Sequence, residues 1–82
     1  MTESRHFEGL GKALRLIRMR QDRTLTEVAE AASITRGMLS GYELESKQPS
    51  VRVLGQIMAA LGVSLGDLHL VLLEIRQGSD ET

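Results

Sequence analysis

The stretch TLTEVAEAASITRGMLSGYEL, residues 24–44, decides the fold of this 82-residue chain. It opens on a capping box, in which the Thr24 hydroxyl caps a helix start and Glu27 reaches back to the backbone of that cap. Apolar residues follow at helical spacing, and after a short connection Thr35 is suited to cap a further helix. The stretch therefore predicts two short helices joined by a tight turn.

Helical periodicity continues on both sides of this stretch. Ser50 and Ser64 are placed to start further helices, and Gly62 suits a helix end that needs a positive φ. No segment alternates like a strand, so we expect an all-α domain of five helices. These helices are predicted at about residues 8–22, 25–32, 36–44, 51–61 and 65–76. The domain then occupies residues 8–76, with an N-terminal tail at 1–7 and a flexible acidic tail at 77–82.

The composition excludes several classes of protein. The chain contains no cysteine, and its two histidines, His6 and His69, lie 63 positions apart, so neither a thiolate site nor a histidine metal site is expected. No nucleophile–base pair or phosphate-binding glycine loop is present, so we expect no catalysis, no metal and no cofactor. No apolar run approaches the 18 residues of a membrane span, and no signal peptide opens the chain. We therefore expect a soluble cytoplasmic protein.

The aromatic content and the charge distribution bear on a nucleic-acid partner. Phe7 and Tyr42 are the only aromatic residues, which argues against proteins that stack single-stranded bases on aromatic rings. The net charge is −1, but residues 5–23 carry six basic and two acidic residues. The acidic residues near the ends of the chain thus mask a basic first helix. An ordinary solvated helix face has a similar charge, so charge alone decides nothing.

Residues 25–44 resemble the helix-turn-helix of the Xre and phage-repressor family. The similarity extends over residues 10–72, and its motifs are LGKALRLIR before the stretch, YE at its end, PS before the fourth helix, and IMAALGVSLGDL after it. The resemblance implies a five-helix lambda-repressor-like fold in which helices 2 and 3 form the helix-turn-helix. The third helix would then enter the major groove of double-stranded DNA.

The chain departs from the family pattern at three positions. Leu25 stands where family members often carry glutamine, which removes a common phosphate contact, although the backbone N–H of Leu25 remains. Ser33 and Glu45 stand where glycine is frequent, and we expect them to alter turn geometry without changing the fold. The resemblance also implies a structural ion pair between Arg18 and Glu43, so neither is expected to contact a base.

Helical spacing places four residues on the outer face of the third helix, opposite Leu39 and Tyr42. The predicted base contacts are Arg36, Gly37, Ser40 and Gly41, with Met38 at the edge facing a thymine methyl. Arg36 can donate two hydrogen bonds to guanine. Because the two glycines contribute no side chain, we expect DNA shape to carry much of the selectivity. In the alternative interpretation the glycines allow another helix to pack closely, and Arg36 is merely solvated.

Helix starts and the loop after the third helix supply the candidate phosphate contacts. They are Arg23, Thr24, Leu25, Thr35, Lys47 and Gln48. Polar loop residues are often simply solvated, which is the alternative for each of them.

The fifth helix has more apolar residues than one face can hold. Leu65, Leu68, Leu72 and Ile75 form a stripe that we expect to pack on the core. This leaves Leu70, Val71 and Leu73 for a dimer interface, unless the helix is deeply inserted in its own core. His69 on this helix is expected to be an exposed or hydrogen-bonded structural residue rather than a pH sensor.

The sequence thus predicts a homodimeric, sequence-specific regulator of transcription, a repressor or autoregulator, on a palindromic operator. Three settings fit: a phage or plasmid repressor, a restriction–modification controller, and an antitoxin that represses its own operon. The alternative is an antitoxin or protein-interaction module that uses the same fold to bind a toxin or another protein partner.

Overall fold

The computed structural model describes residues 9–80, which contain five α-helices and no strand. The helices are α1 Leu10–Arg20, α2 Leu25–Ala31, α3 Arg36–Glu43, α4 Val51–Leu61 and α5 Leu65–Asp80. The predicted all-α class and the order of the helices are confirmed for this part of the chain. The tail predicted at 1–7 and residues 81–82 lie outside the described residues.

Three helices begin at the caps predicted from the sequence. The side-chain oxygens of Thr24, Thr35 and Ser50 each accept a hydrogen bond from the backbone N–H three residues later, at 3.1, 3.0 and 3.1 Å. Glu27 completes the capping box by accepting the Thr24 N–H at 2.8 Å. Each cap satisfies a backbone donor that has no partner inside its own helix.

The last helix starts where expected and ends later than expected. Ser64 and Asp67 cap α5 reciprocally, at 3.0 and 3.1 Å, and the hydrogen bond from the Ser64 backbone lowers the pKa of the Asp67 carboxyl. The helix was predicted to stop at residue 76, but it continues to Asp80. Gly78 does not end it, because a glycine weakens a helix by about 1 kcal/mol while keeping its backbone donor.

Four helices are followed, one or two residues beyond their last residue, by a residue in the left-handed backbone region. The residues and their φ angles are Asp22 (55°), Ser33 (61°), Glu45 (62°) and Gly62 (69°). The expectation that Ser33 and Glu45 alter the turns is therefore wrong, because both adopt the conformation that glycine favours. A residue with a Cβ strains the backbone there by about 1–2 kcal/mol.

The core joins the two helices of the helix-turn-helix to α1, α4 and α5. Val28 and Ala29 of α2 and Leu39 of α3 are almost wholly buried, together with Leu14 of α1 and Ile57 of α4. A small side chain at position 29 allows α2 and α3 to pack closely at this point. The core thus holds α2 and α3 as one unit.

The buried face of α5 differs from the predicted one. Leu68 and Val71 are buried, Leu72 and Ile75 are half-buried, and Leu65 is 71% exposed. Counting from Leu68, positions three, four and seven residues later share one side of a helix. The core therefore takes Val71 in place of Leu65, which lies one turn before the buried part of α5.

The apolar character of α4 and α5 raises the question of a membrane span. No single helix within residues 9–80 has both the length and the apolar character to cross a membrane. The segments Val51–Leu61 and Leu65–Gly78 together match such a span in length and composition only, and they meet at a bend of 92°.

Candidate nucleic-acid interface

α3 is held on its inner side by an ion pair with α1. The Arg18 guanidinium donates from Nε and Nη2 to the two carboxylate oxygens of Glu43, at 2.8 and 2.9 Å. Their side chains are 12% and 5% exposed, and the hydrogen bond to Glu43 raises the pKa of Arg18. The ion pair implied by the family resemblance is therefore present, and it fixes α3 against α1 from the buried side.

A glycine allows α1 to approach the end of α3 closely. A Cβ on Gly11 would overlap the Tyr42 carbonyl oxygen and would lie 2.8 Å from the Glu43 carbonyl oxygen. Both obstacles are backbone atoms, so a larger residue would have to separate the helices. Gly11 was not identified from the sequence, although a glycine inside a helix is a signal of close packing.

The turn after α3 supplies a cap for α1. The Glu45 carboxylate accepts hydrogen bonds from the backbone N–H of Lys12 at 3.1 Å and of Gly9 at 3.4 Å. The residue preceding α1, Gly9, has no side chain that could do this. Glu45 therefore joins the end of the helix-turn-helix to the start of α1, a role that the sequence did not reveal because the two sites lie more than thirty residues apart.

The outer side of α3 faces an open cleft. Arg36 and Gly37 are exposed and Ser40 is half-buried, and these three residues with Leu25 of α2 line a cleft of about 420 Å³. A Cβ on Gly37 would meet no atom within 4 Å. The structure thus brings together, on one side of α2 and α3, residues that the sequence assigned separately to bases and to phosphates.

Two other predicted base contacts lie in different surroundings. Met38 is half-buried and packs against the core, so only part of it reaches the surface. Gly41 is half-buried, and a Cβ there would lie 3.4 Å from Cδ of Lys47. Only Gly37 among these glycines is open to solvent in the way that the sequence prediction requires.

Most of the predicted phosphate contacts are exposed to solvent. Thr24 and Thr35 are exposed at the starts of α2 and α3, and Lys47 and Gln48 are exposed in the loop after α3. The Leu25 N–H belongs to the first turn of α2, where no intrahelical acceptor exists.

Arg23 makes a hydrogen bond within the fold. Its side chain is half-buried, and it donates to the Ala60 carbonyl oxygen of α4 at 2.6 Å. Its guanidinium is thus committed in part to closing the end of α4.

Two glutamines connect helices in ways that sequence reasoning missed. Gln21 donates to the Leu61 carbonyl oxygen at 2.8 Å, and Gln56 donates to the Ala32 carbonyl oxygen at 2.7 Å. Each satisfies a carbonyl at a helix end that has no partner within its own helix. Surface glutamines carry no sequence signal for such a contact. Gln56 supports the turn that sets the start of α3.

An apolar surface lies on the outer side of α5. Leu70 is 59% exposed and Leu73 is 37% exposed, whereas Val71 is only 8% exposed and belongs to the core. The assignment of Val71 to a dimer interface is therefore wrong, because it lies three residues after the buried Leu68. Leu70 and Leu73 remain as the exposed pair.

The helix-turn-helix family model matches residues 14–68, more than half of the chain. The transcriptional regulator ClgR of Mycobacterium tuberculosis is 43% identical over 58 residues, which are 71% of this chain and 52% of that protein. The chain thus spans about half the length of this relative.

Solved structures show the same architecture. The clp gene regulator ClgR from Corynebacterium glutamicum matches with a TM-score of 0.79 and 36% identity, over 90% of this chain and 81% of that one. A mutant of the restriction–modification controller protein C.Esp1396I matches with a TM-score of 0.75 and 25% identity, over 83% of this chain and 90% of that one. These likenesses agree with the lambda-repressor-like arrangement of the five helices.

Proposed function

The chain belongs to the helix-turn-helix family, and we propose that it is a sequence-specific transcriptional regulator that binds double-stranded DNA through α2 and α3. The observation that carries this proposal is the cleft formed by Leu25, Arg36, Gly37 and Ser40. It joins the start of α2 to the outer face of α3, while the inner face of α3 is occupied by the core and the ion pair with α1.

The outer face of α3 supports base contacts by its chemistry. Arg36 is exposed at the first position of α3, and its guanidinium can donate two parallel hydrogen bonds to O6 and N7 of a guanine. Ser40 follows one turn later and can contact either type of base. Gly37 lies between them and lets the helix backbone approach the base edges. Met38 is left with a contact at the edge of the face.

The starts of α2 and α3 support phosphate contacts. Both helices present first-turn N–H groups and the positive end of the helix dipole. We assign phosphate contacts to Thr24, the Leu25 N–H, Thr35 and Gln48. Lys47 adds an exposed cation in the loop after α3, where a phosphate and a base edge are both candidate partners.

Leu70 and Leu73 support a homodimer. Two exposed leucines on one helix surface are best covered by a second copy in a twofold arrangement, in which each helix contacts its counterpart. Twofold symmetry would place two α3 helices about 34 Å apart, one turn of DNA, and would favour a palindromic operator. Regulation would then be steric, since a bound dimer blocks or positions the polymerase without catalysis.

A selection experiment tests the DNA-binding proposal. The purified chain is used to enrich a random pool of 30-base-pair duplexes, and the enriched sequence is compared with DNA upstream of its own gene and of clp genes. The clp fragments are included because one similar protein is named as a clp gene regulator. We expect a symmetric enriched site, bound with an affinity that falls steeply as salt rises.

The matched variants are Arg36→Ala and Arg76→Ala, which remove the same charge from α3 and from α5. Arg36→Ala should weaken binding at least about fivefold and relax the preference at one base pair in each half-site. Arg76→Ala should leave that preference intact. Unchanged preference in Arg36→Ala would show that the bases are read elsewhere.

The alternative is a module that binds a protein through the same face, and two observations favour it: the net charge of −1 and the glycines of α3. Failure of the wild-type chain to enrich any duplex would support this alternative.

The dimer is tested separately by analytical ultracentrifugation. A Leu70→Glu/Leu73→Glu variant should sediment as a monomer, and continued association would place the interface elsewhere.

A further inference from the structure

The side chain of Lys47 lies beside Gly41 of α3. If Gly41 carried a Cβ, that atom would be 3.4 Å from Cδ and 3.7 Å from Cγ of Lys47. These are ordinary or slightly tight van der Waals distances, so the methylene chain of Lys47 rests on the surface of α3 at Gly41. The equivalent position at Gly37, one turn earlier, has no atom within 4 Å.

The loop after α3 is built to hold Lys47 in this place. The Gly41 carbonyl oxygen accepts hydrogen bonds from the backbone N–H of Ser46 at 3.0 Å and of Lys47 at 3.3 Å. It also accepts the Ser46 hydroxyl at 3.2 Å. The chain turns back at Glu45, which adopts a positive φ of 62° and is itself bound to the start of α1. The backbone of Lys47 is thus tied to the helix on which its side chain lies.

This arrangement changes what the outer face of α3 presents. The ammonium of Lys47 is two bonds beyond Cδ, so it extends from a carbon that lies beside Gly41. Arg36, at the first position of the helix, and Gly41 are five residues apart, or about 7.5 Å along the axis.

We propose that Lys47 reads a base in the major groove from its position on Gly41, so that Gly41 serves as the seat for this side chain and makes no contact of its own. The proposal rests on DNA binding through α3, as proposed above. The lysine ammonium is a donor suited to O6 and N7 of guanine. Each half-site would then contain two guanine-preferring positions, one read by Arg36 and one by Lys47.

The first test separates base reading from phosphate binding. Lys47→Met keeps the apolar length of the side chain and removes its charge. Its affinity is measured for the duplex that the wild-type chain enriches and for every single-base substitution of that duplex. We expect the preference at one base pair per half-site to fall at least about fivefold while the others are kept. Equal weakening on all sites, with a smaller dependence on salt, would identify a phosphate contact and overturn the proposal.

The second test asks whether Gly41 acts through Lys47. A methyl group at position 41 would lie 3.4 Å from Lys47 Cδ, an ordinary contact, so Gly41→Ala should leave the preference intact. Gly41→Leu places a branched side chain in the space beside Lys47 and should reproduce the loss of preference seen in Lys47→Met. In the Lys47→Met background, Gly41→Leu should have little further effect on that base pair. The control is Gly37→Leu, whose effect should be independent of Lys47 because no atom lies within 4 Å of a Cβ at position 37. Additive effects of Gly41→Leu and Lys47→Met would overturn the proposal.

A readout without DNA examines the seat itself. In the free wild-type protein, a nuclear Overhauser effect is expected between the α-protons of Gly41 and the δ-protons of Lys47. Its absence would overturn the proposal whether or not a variant folds. Failure of DNA binding as such is seen in the wild-type selection, whereas failure of the Lys47 assignment is seen only in the variants.

Discussion

Two regions of the molecule contain glycine for opposite reasons. One is the contact between α1 and the end of α3, and the other is the outer face of α3. In the contact, Gly11 lies beneath the carbonyl oxygens of Tyr42 and Glu43, and no Cβ would fit. On the outer face, Gly37 has open space around the position of a Cβ. The first glycine is required by the fold. Nothing in the described part of the fold requires the second.

This difference separates what stabilises the protein from what it presents to a partner. The contact between α1 and α3 is crowded at Gly11 and contains the ion pair of Arg18 and Glu43. Each of these two charges needs the other, because both are largely removed from water. The outer face is small, polar and only partly covered, which fits a surface that approaches another molecule closely. Substitutions in the contact should therefore change stability, and those on the outer face should change binding.

The largest expected effect comes from breaking the buried ion pair. Glu43→Gln leaves the partly buried Arg18 guanidinium without its countercharge, and we expect the free energy of unfolding to fall by about 3 kcal/mol, the lower end of the range for buried pairs. Urea denaturation followed by circular dichroism measures this loss. The control is Glu74→Gln, which removes the countercharge of Arg20 from an exposed pair and should cause no measurable change. Similar losses in the two variants would contradict the role given to burial.

The next effect compares the two glycines directly. Gly11→Ala forces a methyl group against two backbone carbonyls and should lower the free energy of unfolding by about 2–3 kcal/mol. Gly37→Ala should raise it by up to about 1 kcal/mol, because alanine favours the helix and meets no obstacle. Thermal unfolding of both variants gives the comparison. A Gly11→Ala protein as stable as the parent would show that α1 can move away from α3 at no cost.

The smallest effect concerns the two turns that border α3. Ser33→Gly should relieve a positive φ and stabilise the protein by about 0.5–1 kcal/mol, once the greater freedom of glycine in the unfolded chain is subtracted. Glu45→Gly relieves the same strain but removes the cap of α1, whose loss costs about 1 kcal/mol, so no net gain is expected. Equal stabilisation by both changes would show that the Glu45 cap contributes nothing.

Local signals accounted for most of the architecture. The caps at Thr24, Thr35 and Ser50 and the glycine at position 62 were identified because each acts on the backbone within a few residues. Helical spacing also separated the inner residues of α3 from its outer ones, as with the buried Leu39 and the exposed Arg36. Capping and helical spacing depend on residues that are close in sequence, so both can be predicted from the order of the amino acids.

Contacts between distant segments could not be predicted in the same way. The position of Lys47 on Gly41 depends on how the loop after α3 folds back, and the cap that Glu45 gives to α1 depends on the approach of two helices. The exchange of Leu65 for Val71 in the core depends on the angle at which α5 crosses the other helices. A stripe of apolar residues wider than one face leaves this choice open.

The sequence by itself determined the five helices, their order and the outer residues of α3, because backbone capping and helical periodicity act over one or two turns. The tertiary structure decided which residues of α5 are buried, why Gly11 must be glycine, and how Ser33 and Glu45 keep a glycine-like turn. These points depend on contacts between residues that are distant in sequence, and such contacts form only when the helices pack together. A strained turn or a missing side chain is kept where the contacts that it allows outweigh its cost.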